Sequence, residues 1–227
     1  MKRVLSEIAA RQREFANHPF FQRLERNEPT QRTMAFISAP AFFVMAFQDI
    51  LRLNATRIQD PQMRRVAERH QQEDLGHDSW YLHDVAVVEG DTRNVSRLFA
   101  PEHMITRDVS YELISEAWNA TDDRVRIVLV LVLEATGHVM FRKVSQYLER
   151  MGFDRKLKYF SKGHLDVELD HEIFESVDAE LQSIVLAPEA RDAALGVVER
   201  GFAAQARMLD GFNARIDAES AAAPQPN

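Results

Sequence analysis

His164, Glu168 and His171, within the stretch GHLDVELDHE, set two imidazoles and a carboxylate at offsets of 0, 4 and 7. At about 100° per residue these offsets fall within roughly 60° of one another on a helix, so the three groups share one face. Earlier in the chain, HQQEDLGHDSW repeats the spacing with His70, Asp74 and His77, and Glu73 sits at the edge of the same arc. With 8 His and 35 acidic residues among 227, chance yields roughly 0.04 matches to His-x3-acid-x2-His. Two are present. Imidazole and carboxylate grouped in this way are the ligands of a metal held by nitrogen and oxygen.

Glu134 and His138, one turn apart, form a third group. Glu134 directly follows the apolar run Ile127 to Leu133, where an unpaired carboxylate costs several kcal/mol or takes up a proton. A cation relieves that cost. Gly76, Gly137 and Gly163 each precede a histidine in segments that read as helix interiors. An interior glycine costs about 1 kcal/mol against alanine, so the spacing predicts close backbone approach or a π-bulge at a site. The donor set suits iron, manganese or zinc, and bundle cores commonly hold paired ions between facing helices. Zinc would serve hydrolysis and iron would serve dioxygen chemistry.

The elements that must position these groups read as helices. Eight glycines and eight prolines are few for 227 residues, and the segments between them show helical rather than alternating periodicity. Expected helices cover 2–15, a second entered at Asn17 and Pro19, 30–54 with a kink or split at Pro40, and 61–89 stopped by Gly90. Others follow at 106–119, from Asp122 and Asp123 to Gly152, at 155–178 and at 188–218. The β-branched run Ile127 to Leu133 is read as buried helix, because amphipathic sequence continues beyond it without a turn signal. The fold class is all-α, a single domain of seven to eight helices over residues 1–218, with 219–227 a disordered tail. FISAPAFFVMAFQDIL puts Phe36, Phe42, Phe43, Met45 and Phe47 on one helix. Such a stripe is core first, but Phe43 and Phe47 are candidates for the wall of a pocket that takes an aliphatic or aromatic group. His18, His83 and His103 have no comparable spacing partner and read as structural.

Composition removes several classes. A net charge of −7 without a basic tract disfavours nucleic acid as partner. The absence of cysteine excludes disulfides, a thiolate nucleophile and sulfur-ligated zinc. The amino-terminal stretch lacks the unbroken apolar core of a signal peptide, and the run Ile127 to Leu133 is far short of the roughly 20 residues that cross a bilayer. The expected location is cytoplasmic, with a small molecule as partner and no membrane.

The sequence resembles the haem-oxygenase-like helical superfamily, which includes thiaminase-II-type and pyrroloquinoline-quinone-synthase-type proteins, and most closely its di-iron oxidases and oxygenases. HPFFQRLERN, followed by a long aromatic-rich helix, is similar to the entry of that fold; EDLGH, LEATGH and HLDVELDHE are similar to its three ligand helices. The third motif is the most specific, and the resemblance covers about residues 15–215. It implies His77, Glu134, His164, Glu168 and His171 as ligands, with a carboxylate from the ED pair. Members of the family often carry glutamate where His70 stands, and aspartate is more usual where Glu168 stands. Glu73 is therefore favoured, with Asp74 and His70 as alternates and His138 as a ligand or its hydrogen-bonding neighbour. The absence of cysteine argues against thiaminase activity.

The resemblance implies a non-haem di-iron oxidase or oxygenase, with two irons per chain and O2 as co-substrate. The substrate is a small organic molecule held beside Glu134, a fatty acid or an amino acid derivative being candidates. A homodimer and an external electron donor are further expectations. A cofactorless oxidase of the quinone-synthase type, in which histidines act as acids and bases, is the alternative enzyme. A non-enzymatic metal-binding helical protein is the alternative from another class.

Overall fold

The computed structural model describes residues 1–26, 30, 32–90, 95–153, 156–170 and 181–221, with the backbone alone for 32, 95 and 167–170. Its α-helices are α1 (Lys2–Phe15), α2 (Pro19–Arg26), α3 (Ala41–Arg57), α4 (Pro61–Glu73), α5 (His77–Glu89), α6 (Met104–Asn119), α7 (Asp123–Arg150), α8 (Lys162–Asp170) and α9 (Pro188–Ala221). Short 3₁₀ segments cover Arg32–Ser38, Val95–Phe99 and Pro101–His103, and no strand occurs among the described residues. The all-α expectation holds.

Local chemistry sets most of the boundaries. Asp60 caps α4 by accepting from the backbone N–H groups of Gln62 and Met63, each at 2.9 Å, with Pro61 at the first helical position. Asp122 does the same for α7. Pro40 divides the expected third helix, leaving a 3₁₀ segment before it and α3 after it. By length and composition Thr33–Arg57 is apolar enough to cross a bilayer, yet it is broken at this proline and half of its most apolar window is buried inside the fold.

Two expectations need correction. The continuous helix over 61–89 is two helices: α4 stops at Glu73, and Gly76, with φ of +94°, turns the chain into α5. That left-handed conformation is why glycine stands there. The helix expected from 155 begins only at Lys162. Consequently Gly76 lies outside any helix and Gly163 sits in a first turn, while Gly137 alone is interior; no π-helix occurs among the described residues. At the carboxyl end α9 runs through Ala221.

The central element is α7. Its residues from Ile127 to Leu133 are each no more than 4% exposed, so this helix is wrapped on all sides, as its unbroken apolar run requires. It packs against α9, α1, α8 and α2, while α3 packs on α6 and α4. At the crossing of α9 and α7, a Cβ added to Gly201 would lie 2.8 Å from Cγ1 of Val132. Glycine lets the two backbones approach beside the segment that carries Glu134. Gly201→Leu should lower stability by about 2–3 kcal/mol through overpacking, read as a lower urea midpoint at unchanged m value.

Candidate metal centre

The break after α4 does not scatter the first histidine group; it folds it together. Asp74, the residue that closes α4, places one carboxylate oxygen 3.2 Å from His70 Nε2 and the other 2.8 Å from His77 Nδ1. Its backbone carbonyl, released by the end of the helix, accepts from Gln48 Nε2 at 2.7 Å. Across from α4, Glu134 of α7 contacts His70 Nε2 directly. His70, Asp74 and Glu134 thus offer three ligand atoms within 4.8 Å of one another.

The electrostatics of this cluster are those of a cation site. Burial of His70, which is 2% exposed, works against its charge, but Glu134 and Asp74 outweigh it and raise the imidazole to about 10. Burial likewise opposes ionisation of Asp74, yet His70 and His77 hold that carboxylate well below its usual range. Two carboxylates fixed around one buried point favour positive charge there, whether on an imidazole or on an ion.

The residues fit a metal. Bonds of roughly 2.0–2.2 Å to imidazole nitrogen and carboxylate oxygen separate the ligand atoms around one ion by up to about 4.4 Å, close to the spread observed. His70 Nε2, despite its proximity to both carboxylates, makes no hydrogen bond of good geometry, and its Nδ1 is buried without a hydrogen-bond partner among the described residues. An ion would satisfy the first of these orphaned atoms.

The second pair of histidines lies alongside. His77 and His164 are buried, with ring centroids 4.4 Å apart in an edge-on arrangement. His77 donates from Nδ1 to Asp74, and His164 donates from Nδ1 to the carbonyl of Tyr159. Both rings are therefore held in the tautomer whose Nε2 carries the lone pair, the form that ligates metal. Trp80 stacks on His77 at 4.7 Å, and Phe141 and Tyr159 close around His164.

Of the three candidates on α4, then, the structure brings His70 and Asp74 to Glu134. Glu73 pairs with Arg69, whose Nε lies 2.8 Å from one carboxylate oxygen, while its other oxygen is buried without a hydrogen-bond partner among the described residues. The side chain of Glu168, and His171 altogether, lie outside the described residues. The three histidines without spacing partners serve the frame: His103 donates to the carbonyl of Ala39 and His83 to that of Lys156, while His18 accepts from the N–H of Phe20.

One wall of the cluster opens on a cavity of about 80 Å³. Asp74, Glu134 and His138 line it with Phe43, Phe47, Phe141 and Met208. Phe43 and Phe47, one turn apart on α3, both line this cavity. Sequence reasoning missed Trp80, Tyr159, Gln48 and Gln205, the last a buried side chain of α9 that also lines the cavity. Gln48 and Gln205 come from elements remote in sequence from the groups they adjoin, while Trp80 and Tyr159 lie close in sequence to His77 and His164 but are aromatic residues of a kind that the core uses everywhere.

No protein-family model matches the chain, and no curated protein matches it. Among solved structures, the chain is similar to a domain of unknown function with a haem-oxygenase-like fold from Shewanella denitrificans OS217, at a TM-score of 0.76 and 16% identity. The match covers 100% of this chain and 97% of that one. At so low an identity the likeness carries architecture alone, and by that architecture the chain has a haem-oxygenase-like fold.

Proposed function

We propose that this protein is a non-haem di-iron oxidase or oxygenase that uses O2 to oxidise a small organic molecule with an apolar body. The observation that carries the reading is the convergence of His70, Asp74 and Glu134, two of which, Asp74 and Glu134, line an apolar cavity. Iron bound there would supply redox electrons and open coordination positions for dioxygen. His70, Asp74 and Glu134 would hold one ion; His77 and His164, with Glu168 and His171, are the donors proposed for the second.

The chain's own residues do the rest. Asp74 orients His77, and the Tyr159 carbonyl orients His164, so neither ring can present the wrong nitrogen. Phe43, Phe47 and Phe141 keep water from the reacting face and hold the apolar body of the substrate against Glu134. Reconstitution with ferrous iron under anaerobic conditions should give two irons per chain, and admission of O2 should produce a transient visible absorption band. A chain that takes up no tightly held metal would sink the proposal.

A second reading rests on the pairing of His70 with Glu134. An imidazole raised to about 10 behind two carboxylates that line a cavity is also a proton donor and acceptor set, as in a cofactorless oxidase. Activity that survives exhaustive chelation would favour this reading over the first.

A further inference from the structure

Gln205 projects from α9 into the cavity that Glu134 and Asp74 border. It is 4% exposed, and its side-chain amide has no hydrogen-bond partner among the described residues. Its amide offers two donors and an acceptor to whatever occupies the cavity, water included. Its surroundings offer little relief: Leu133, Met208, Leu209 and Phe212 line the same space. Thr136, a hydroxyl on the lining, already donates to the carbonyls of Val132 and Leu133 at 3.0 Å each.

The charge of the lining restricts what could satisfy that amide. Asp74 and Glu134 are its acidic members, and no lysine or arginine lines it among the described residues. In the metal-free chain, a carboxylate placed against Gln205 would have a neutral amide as its only partner on α9, beside two further carboxylates on the lining. An uncharged group that both accepts and donates fits instead.

We propose that Gln205 is a specificity-determining residue that hydrogen-bonds a neutral carbonyl or carboxamide group on the substrate, whose short aliphatic or aromatic body fills the remainder of the cavity. The inference rests on the reading of this cavity as the substrate site, but it concerns binding and needs neither metal nor turnover. The substrate class is thereby narrowed to small uncharged carbonyl compounds, the acidic end of any bifunctional molecule lying elsewhere than at Gln205.

Butanamide, butyrate and pentane, which share a short alkyl chain and differ in the polar group, test this on the full chain as purified. Titration is followed in 15N-edited NMR spectra through the side-chain amide of Gln205, identified by its absence from the spectrum of Gln205→Leu. Butanamide should shift that resonance and bind more tightly than butyrate or pentane, and Gln205→Leu should weaken butanamide roughly tenfold while leaving pentane unchanged. Should the leucine variant fail to fold, Gln205→Met takes its place, and the wild-type amide resonance remains a readout. Equal binding of the three probes, preference for butyrate, a Gln205 resonance that butanamide does not move, or no binding by any probe would each overturn the assignment. Because iron stoichiometry is measured separately, a protein that binds butanamide through Gln205 but holds no iron would refute the oxidase reading and leave this one standing.

Discussion

Glu134→Ala abolishes stoichiometric iron binding, with affinity expected to fall at least roughly a hundredfold, while Glu73→Ala leaves the site formed by His70, Asp74 and Glu134 in place. The contrast follows from geometry. Glu134 reaches His70 from α7, whereas Glu73 is engaged with Arg69 one turn back on its own helix. Metal analysis after reconstitution reads the difference directly, and equal loss in both variants would refute the assignment. The metal-free protein gives a second readout. Breaking a buried ion pair by removing one partner costs about 3–5 kcal/mol, so Glu134→Gln should be markedly less stable than the parent without metal. The folded-state value of His70 lies near 10, against 6.5 for the unfolded chain. The stabilisation is therefore fully present below pH 6.5 and lost as pH rises through about 10. Thermal melts of the two chelated proteins should differ most at pH 6 and converge near pH 10. A difference independent of pH would mean that the contact does not depend on the charge of His70.

The second large effect is expected far from any ligand. Asp84→Ala should lower stability by about 3 kcal/mol, because it strips two backbone N–H groups, one buried and one partly buried, of their acceptor. Asp84 is fully buried in α5 and accepts from Lys158 at 2.6 Å and from Phe160 at 2.9 Å. Those bonds pin the strap that leads into α8, and Tyr159 within it supplies the carbonyl that orients His164. Loss of Asp84 should accordingly change the environment of His164 as well as the melting temperature, and the imidazole resonances of a histidine-labelled sample would show it. Asp84→Asn keeps one acceptor oxygen and should show about half the loss. Burial, partly offset by the two N–H donors, raises the Asp84 carboxyl above 3.8. Its protonated form thus contributes stability that is complete below pH 3.8 and disappears as pH rises through the raised value. The asparagine variant should lack that dependence, and an unchanged acid profile would count against the assignment.

Much of this arrangement was legible in the sequence, though not always for the right geometric reason. The unbroken run before Glu134 gave both the burial of α7 and the oddity of its carboxylate. The spacing of His70, Asp74 and His77 groups three residues that the structure also brings together, but under the assumption of one continuous helix. In the structure those residues meet because the helix ends: Asp74 is free to swing between two histidines only where α4 has stopped. Glycine before histidine was noticed as an anomaly, but a glycine inside an amphipathic pattern looks the same whether it thins a helix or terminates it. Gln205 and Asp84 carried no signal at all. A glutamine within a helix and an aspartate after a histidine are ordinary in sequence, and what distinguishes them is the apolar surroundings that only packing supplies.

The left-handed turn at Gly76 also bears on how such a protein tolerates change in length. Were the ligands spaced along a single rigid rod, every inserted residue would rotate the downstream donors by about 100° and carry them off the shared face. Here Asp74 and His77 are anchored on either side of a joint, so residues added near Pro61 or Glu89 extend α4 or α5 away from it and leave the frame between the donors untouched. The outer ends of these two helices are the natural places to graft new loops or whole modules, and the two residues between Asp74 and His77, Leu75 and Gly76, are the ones whose number cannot vary.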